Sequence, residues 1–207
     1  MSLWRRVVAA SYDGLLSSSE RHGLAALRAE LLAAARGRVL ELGAGTGANL
    51  DHWPRGPIAS LLLTEPDPAM ARRLERRVAR REAAAQVVRA PADALPVPDA
   101  GVDTVVASLV LCTVSDVPAA LAEVRRVLAP GGRLLFLEHV RHADPERARR
   151  QDRLTPVHRV LAVGCHPNRP TPDLIAAAGF TVHGLRVERF PKAARYLQPL
   201  VLGSATP

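Results

Sequence analysis

Leu24, Leu27, Leu31 and Leu32 recur at helical spacing within residues 19–35, which predicts an amphipathic helix. A short apolar run, Arg38-Val39-Leu40-Glu41-Leu42, then meets Gly43 and reads as a strand ending in a tight turn. Ser60 to Thr64, Gln86 to Ala90, Val102 to Ala107 and Arg133 to Leu137 repeat that strand signature. Helical patterns lie between them at 68–83 and 116–128. Apolar strands without clean alternation, interleaved with helices, predict a parallel α/β sheet covered on both faces.

The rhythm changes further on. Residues 172–179 read as a short helix closed by Gly179, followed by strands over 180–190 and 196–205. No helix-length segment separates those two strands, so they are expected to pair antiparallel. The expectation is a three-layer α/β fold whose mostly parallel, seven-stranded sheet ends in an antiparallel pair. Residues 144–170, Arg-rich and then Pro-rich, carry no readable element.

Gly43, Gly45 and Gly47 stand in ELGAGTGANL, directly after the first strand and where a helix is expected to open. Glycines there let the chain turn tightly and let a ligand approach the backbone without a Cβ in the way. The N–H groups at a helix start favour an anionic group, a carboxylate as readily as a phosphate. Glu65 follows the second strand, where a carboxylate can accept bonds from both hydroxyls of a ribose. Asp93, just past the third strand, is placed either to accept from an adenine amino group or to cap a turn.

Composition removes several classes. The 207 residues, 48% apolar and 23% charged, fit one folded domain and exclude disordered or coiled-coil chains. No apolar run is long enough to span a membrane, and no secretory signal is evident, so a cytoplasmic protein is expected. The charge of +8 invites a nucleic-acid reading, but Lys192 is the only lysine among 28 basic side chains. An arginine bias of composition explains that excess, and 3% aromatic residues leave little for base stacking, which argues against a nucleic-acid partner.

Two ligands then compete for the glycine loop. Gly43-Ala44-Gly45-Thr46-Gly47-Ala48 also satisfies the dinucleotide pattern, so an NAD(P)-dependent oxidoreductase is one reading. Glu41 opposes a pyrophosphate and suits a cationic amine, Asp93 adds another acid, and the closing antiparallel pair is foreign to dinucleotide folds. A sulfonium cofactor carrying an amino group suits such an acidic rim.

From about Tyr12 to Ala205 the chain resembles the class I S-adenosylmethionine-dependent methyltransferases of the type 11 group. VLELGAGTG, TEPD, PADALPVPDAGVDTVVASLVLCTV and EVRRVLAPGGRLLFLEHV carry the resemblance. Leu109-Val110-Leu111-Cys112, Glu138-His139-Val140, Pro156-Val157-His158 and Gly164-Cys165 are similar to the thiol S-methyltransferases of that family. The resemblance implies that Gly43, Ala44 and Gly45 pass beneath the methionine part, with Glu41 near its amine. It implies Glu65 at the ribose, Pro66 and Met70 bordering the adenine, and Ala92, Asp93 and Ala94 at the adenine edge. Ser108 and Leu109 would offer backbone carbonyls to the amine, and Tyr12 would close over the cofactor. Two departures stand out: the apolar membrane anchor of the thiol enzymes is missing, and Val157 replaces an expected aromatic.

His139, at the end of the fifth strand, and His158, in the insertion before the last strands, are the candidate acid–base groups, because histidine titrates near neutral pH. Cys112 and Cys165 show no metal-ligand spacing, and no metal is expected; Cys112 reads as a buried inert thiol. The Arg72-Arg76-Arg80 and Arg73-Arg77-Arg81 stripes read as a solvated helix face. Trp4 to Val8 read as part of a helical lid over 1–35, with weak contact to a membrane surface as the alternative; 36–207 form the catalytic core. The function expected is methyl transfer to a small-molecule nucleophile, a thiol first, with a non-catalytic S-adenosylmethionine-binding protein as a further alternative.

Overall fold

Apolar runs become the sheet. β1 (Gly37–Leu42), β2 (Ile58–Thr64), β3 (Ala85–Val88), β4 (Val102–Ser108), β5 (Leu128–His139), β6 (Thr181–Glu188) and β7 (Leu200–Thr206) form one seven-stranded sheet in the order β3-β2-β1-β4-β5-β7-β6. The structure is a computed structural model and describes residues 13–81, 84–162 and 164–207. β1 to β5 run parallel, while β7 lies antiparallel between β5 and β6, as the sequence predicts. In β1 the four consecutive residues Val39 to Leu42 are buried, because helices or loops cover both faces. Phe136 on β5 pairs with Gly203 on β7 and is fully buried; a Cβ on Gly203 would meet its ring at 2.8 Å. Cutting back such a ring costs about 3–5 kcal/mol.

Six α-helices flank the sheet in the described residues: α1 (13–19), α2 (Ala25–Leu32), α3 (Pro68–Arg80), α4 (Val117–Val127), α5 (Pro145–Leu161) and α6 (Thr171–Ala177). Asp67, Asp116 and Asp144 cap α3, α4 and α5, each accepting backbone N–H groups of the first turn, with proline at the first or second helical position.

Three expectations are corrected. The helix predicted over 19–35 is interrupted at Glu20–Leu24, where His22 and Gly23 leave helical geometry, and resumes with Leu24, Leu31 and Leu32 buried against Val106, Leu135 and Leu137. Residues 144–170 contain a long helix after all. The Asp144 cap starts it, buried Gln151 secures it by donating to the carbonyls of Val140, Pro167 and Gln198, and Pro156 lies inside it. No helix opens after the glycine loop. Gly43 (φ 52°), Gly45 (φ 60°) and Gly47 (φ 89°) take left-handed backbone, and the chain continues as turns in which the N–H of Gly47, Leu50 and His52 bonds the third carbonyl back.

Candidate active site

The carboxyl ends of β1, β2, β4 and β5 meet above the middle of the sheet, where an open α/β fold places its ligands. Gly43 must be glycine: a Cβ there would strike the Val110 side chain, which rises from the end of β4. Gly45 faces open space, with only the Gly43 carbonyl at 4.0 Å from a hypothetical Cβ. That loop is tied to β2 by Glu65, which accepts the Gly45 N–H at 2.9 Å and the Asp67 N–H at 2.8 Å.

A buried polar chain runs beneath. Arg28 of α2 donates to Glu20 and Asn49 at 3.0 Å and to the Ser108 hydroxyl at 2.8 Å, and Asn49 in turn donates to Glu41 at 2.8 Å. Burial raises the Glu41 carboxyl to about 7, partly countered by the Asn49 hydrogen bond and the Arg28 charge. Burial also raises Glu65, against the backbone N–H groups of Asp67 and Gly45. Arg28 escaped the sequence reading, although its signal was present. It sits at the fourth place after Leu24 on the apolar stripe, where a leucine belongs.

The other predicted residues fall along the same edge. Ala44 is buried beside Leu63 and Leu74; Pro66 is exposed and Met70 half-buried at the start of α3. Ala92, Asp93 and Ala94 form an exposed to half-exposed turn after β3. Leu109 takes left-handed backbone (φ 56°) as it leaves β4, its N–H held by the Leu137 carbonyl at 2.8 Å. Tyr12 and the segment Trp4 to Val8 lie outside the described residues. The arginine stripes divide: Arg72, Arg76 and Arg80 are exposed, whereas Arg77 donates to the Thr46 carbonyl at 3.1 Å and Arg81 pairs with Asp51 at 2.6 Å. Part of the basic face therefore anchors the glycine loop.

A second group assembles beyond β4 and β5. Buried Glu138 accepts the N–H groups of Val110 and Leu111 at 2.9 and 2.8 Å and of Cys112 at 3.2 Å, shaping the loop after β4. Arg169 donates to the carbonyls of Leu111 and Val114, and the His166 N–H to that of Cys112 at 2.7 Å. This stitching brings the Cys112 and Cys165 sulfurs to 3.6 Å, in a shared hydrogen bond. Buried His139 places Nδ1 3.2 Å from the Leu197 carbonyl, and half-buried His158 places Nδ1 3.1 Å from the Tyr196 hydroxyl. One ligand atom from each of Cys112, His139 and Cys165 lies within 4.8 Å of the others. The Cys165 thiol is held low, by its hydrogen bond with Cys112 first and, against its burial, by the His158 and His139 rings, while Cys112 is pushed up by Cys165 and burial. Burial lowers His139.

Two surface hollows lie away from this edge. One of about 490 Å³ sits between α4 and α6; another of about 610 Å³ lies at the opposite, amino-terminal ends of the strands, where Arg38 and Gly101 line it. Neither is lined by Glu41, Glu65, Cys112 or Cys165.

Residues 40–136 match a family described as a methyltransferase domain. Thiol S-methyltransferase TMT1B of Homo sapiens is 36% identical over 184 residues, covering 84% of this chain and 73% of that protein. Among solved structures, a SAM-dependent methyltransferase of Thermotoga maritima, described as a possible histamine N-methyltransferase, superposes with TM-score 0.69 and 20% identity over 98% of this chain and 97% of its own. The putative methyltransferase bound to the Trm112 activator of Haloferax volcanii superposes with TM-score 0.73 and 17% identity over 100% of this chain and 99% of its own. The seven-stranded sheet with its antiparallel close is the fold of a Rossmann-like methyltransferase. This chain belongs to the S-adenosylmethionine-dependent methyltransferase family that includes the thiol S-methyltransferases. It is an enzyme with S-adenosylmethionine as cofactor, and the oxidoreductase reading is set aside. Among the described residues, no helix is long and apolar enough to cross a membrane.

Proposed function

We propose that this enzyme methylates the sulfur of a small thiol, acting as one domain in the cytoplasm. The observation that carries the reading is its 36% identity with a protein named a thiol S-methyltransferase over 84% of the chain. The Cys112, His139, Cys165 and His158 group beyond β4 and β5 supports it, since these soft and basic side chains suit a sulfur acceptor.

The residues of the glycine edge fit the cofactor. Gly45 opens onto free space, and two buried carboxyls raised above their ordinary range, Glu41 and Glu65, offer acceptors for an amine and for ribose hydroxyls. In this reading Gly43, Ala44 and Gly45 underlie the methionine part and the Ser108 and Leu109 carbonyls face its amine. Pro66, Met70, Ala92, Asp93 and Ala94 frame the adenine, and Tyr12 covers the site. S-adenosylmethionine, when bound, supplies a methyl group already activated on a sulfonium sulfur.

The chain supplies alignment, exclusion of water and a place for one proton. His158, the more exposed of the two histidines, takes the proton from the acceptor S–H, oriented by the Tyr196 hydroxyl. His139, buried with Nδ1 turned to the Leu197 carbonyl, holds the thiol side of the pocket. The acceptor sulfur would then take the methyl group as the carbon–sulfonium bond breaks toward the cofactor sulfur. The test is a panel of small thiols, amines, phenols and activated carbon acceptors with methyl-labelled S-adenosylmethionine. Label in thioether products is expected; label in amines or phenols with none in thiols overturns the reading.

A further inference from the structure

Cys112 and Cys165 stand 53 residues apart in sequence, yet their sulfurs are 3.6 Å apart and a ligand nitrogen of His139 lies within 4.8 Å of both. Two thiolates on one tetrahedral zinc, each at about 2.3 Å from the metal, stand about 3.8 Å from one another. The pair is therefore already at ligand spacing. A disulfide needs the sulfurs at about 2.05 Å, a far larger closure.

The surroundings are those of a built metal site. The His139 Nδ1 is engaged by the Leu197 carbonyl at 3.2 Å, which leaves Nε2 as the ligand atom and fixes the ring, the usual arrangement behind a metal-bound histidine. Phe190 stacks edge-on against the same ring at 4.9 Å between centroids. Cys112 is held by Glu138 through its N–H and by His166 through its carbonyl. All three side chains are buried, so their positions are set by packing. Two thiolates and one imidazole select a thiophilic ion of the zinc class, and they neutralise its two positive charges.

We propose that Cys112, His139 and Cys165 bind one zinc ion, whose fourth position takes the acceptor thiol as a thiolate. This rests on the thiol reading above. A set of three protein ligands leaves one position open, as catalytic zinc sites do, and a coordinated thiol loses its proton outright. His158, with Nδ1 3.1 Å from the Tyr196 hydroxyl, receives that proton. The S–H bond breaks with its electron pair left on the zinc-bound sulfur, and that pair forms the bond to the methyl carbon. The carbon–sulfonium bond breaks toward the cofactor sulfur, leaving it a neutral thioether.

The test uses the whole chain, reduced with a phosphine, freed of metal and titrated with Co2+ under anaerobic conditions. One cobalt per chain is expected, with sulfur-to-cobalt charge-transfer absorption and the intense visible bands of a tetrahedral site, both abolished by added zinc. Cys112→Ser, Cys165→Ser and His139→Asn are expected to weaken cobalt affinity at least about 10–100-fold. Because those variants can fail to fold, the wild-type titration decides. Reduced wild-type protein without thiolate charge-transfer bands overturns the site. Metal-free enzyme that folds, binds S-adenosylhomocysteine and methylates thiols at the full rate overturns the zinc role while leaving the thiol function standing. Thiol methylation that falls about 100-fold on metal removal and returns with zinc supports both. Failure to methylate any thiol, with or without zinc, removes the function and this role together.

Discussion

Arg28 donates to the Ser108 hydroxyl at 2.8 Å across 80 residues of sequence, joining α2 to the end of β4. The same guanidinium reaches Asn49 and Glu20, so one buried cation organises the floor of the site. Breaking such a network leaves buried polar groups without partners. Arg28→Ala is expected to destabilise the fold by about 3–5 kcal/mol and to weaken S-adenosylhomocysteine binding. Arg28→Lys restores the charge but not the fork of donors, and should recover only part of each loss. Urea denaturation and calorimetric titration of both variants check this.

Glu41 makes stability depend on pH in the opposite sense to a salt-bridged acid. Its ordinary value is 4.5 and burial raises it to about 7 in the folded chain. The stability it contributes is therefore present below about pH 4.5 and lost as pH rises through about 7, a change of about 3 kcal/mol. Glu41→Gln carries no titration and should make the stability profile shallower across that window, leaving the slope of Glu138, which burial also raises to about 7. Denaturant midpoints from pH 4.5 to 8 measure the difference, and parallel curves for both proteins would contradict it.

Glu65 binds the loop in the ground state through Gly45 and Asp67. In the proposed cofactor site its bonds to the ribose are equal in ground and transition states. Glu65→Ala should raise KM for S-adenosylmethionine about 10–100-fold, with a smaller change in kcat. Steady-state rates at saturating thiol separate the two constants.

His158→Asn removes the proposed proton acceptor while keeping a polar side chain beside Tyr196. At neutral pH kcat should fall about 100-fold. The deficit should shrink above pH ~8.5, where a free thiol ionises without help. A variant with the full rate at pH 6.5 leaves His158 as lining only.

Much of the fold lay in the sequence because the relevant forces are local. Apolar runs such as Leu61-Leu62-Leu63 and the glycines at 43 and 45 act over a few residues, so pattern alone placed the strands and the antiparallel close. The acids Glu41 and Glu65 were legible for the same reason, each standing at or just past the end of a readable strand. What lay beyond reach depends on contacts between distant segments. Spacing along the chain could not show that the 165–169 loop is stitched by His166 and Arg169 onto the 110–114 loop, so Cys112 looked inert and Cys165 unrelated. Pro156 concealed α5, whose anchor Gln151 donates to the carbonyls of Val140, Pro167 and Gln198, contacts that only the folded chain makes. The expected helix after the glycine loop gives way to turns, since Gly43, Gly45 and Gly47 all take left-handed backbone in the folded chain. Local backbone preference therefore determined the sheet and its acidic edge, while long-range packing alone decided which cysteines and histidines meet there.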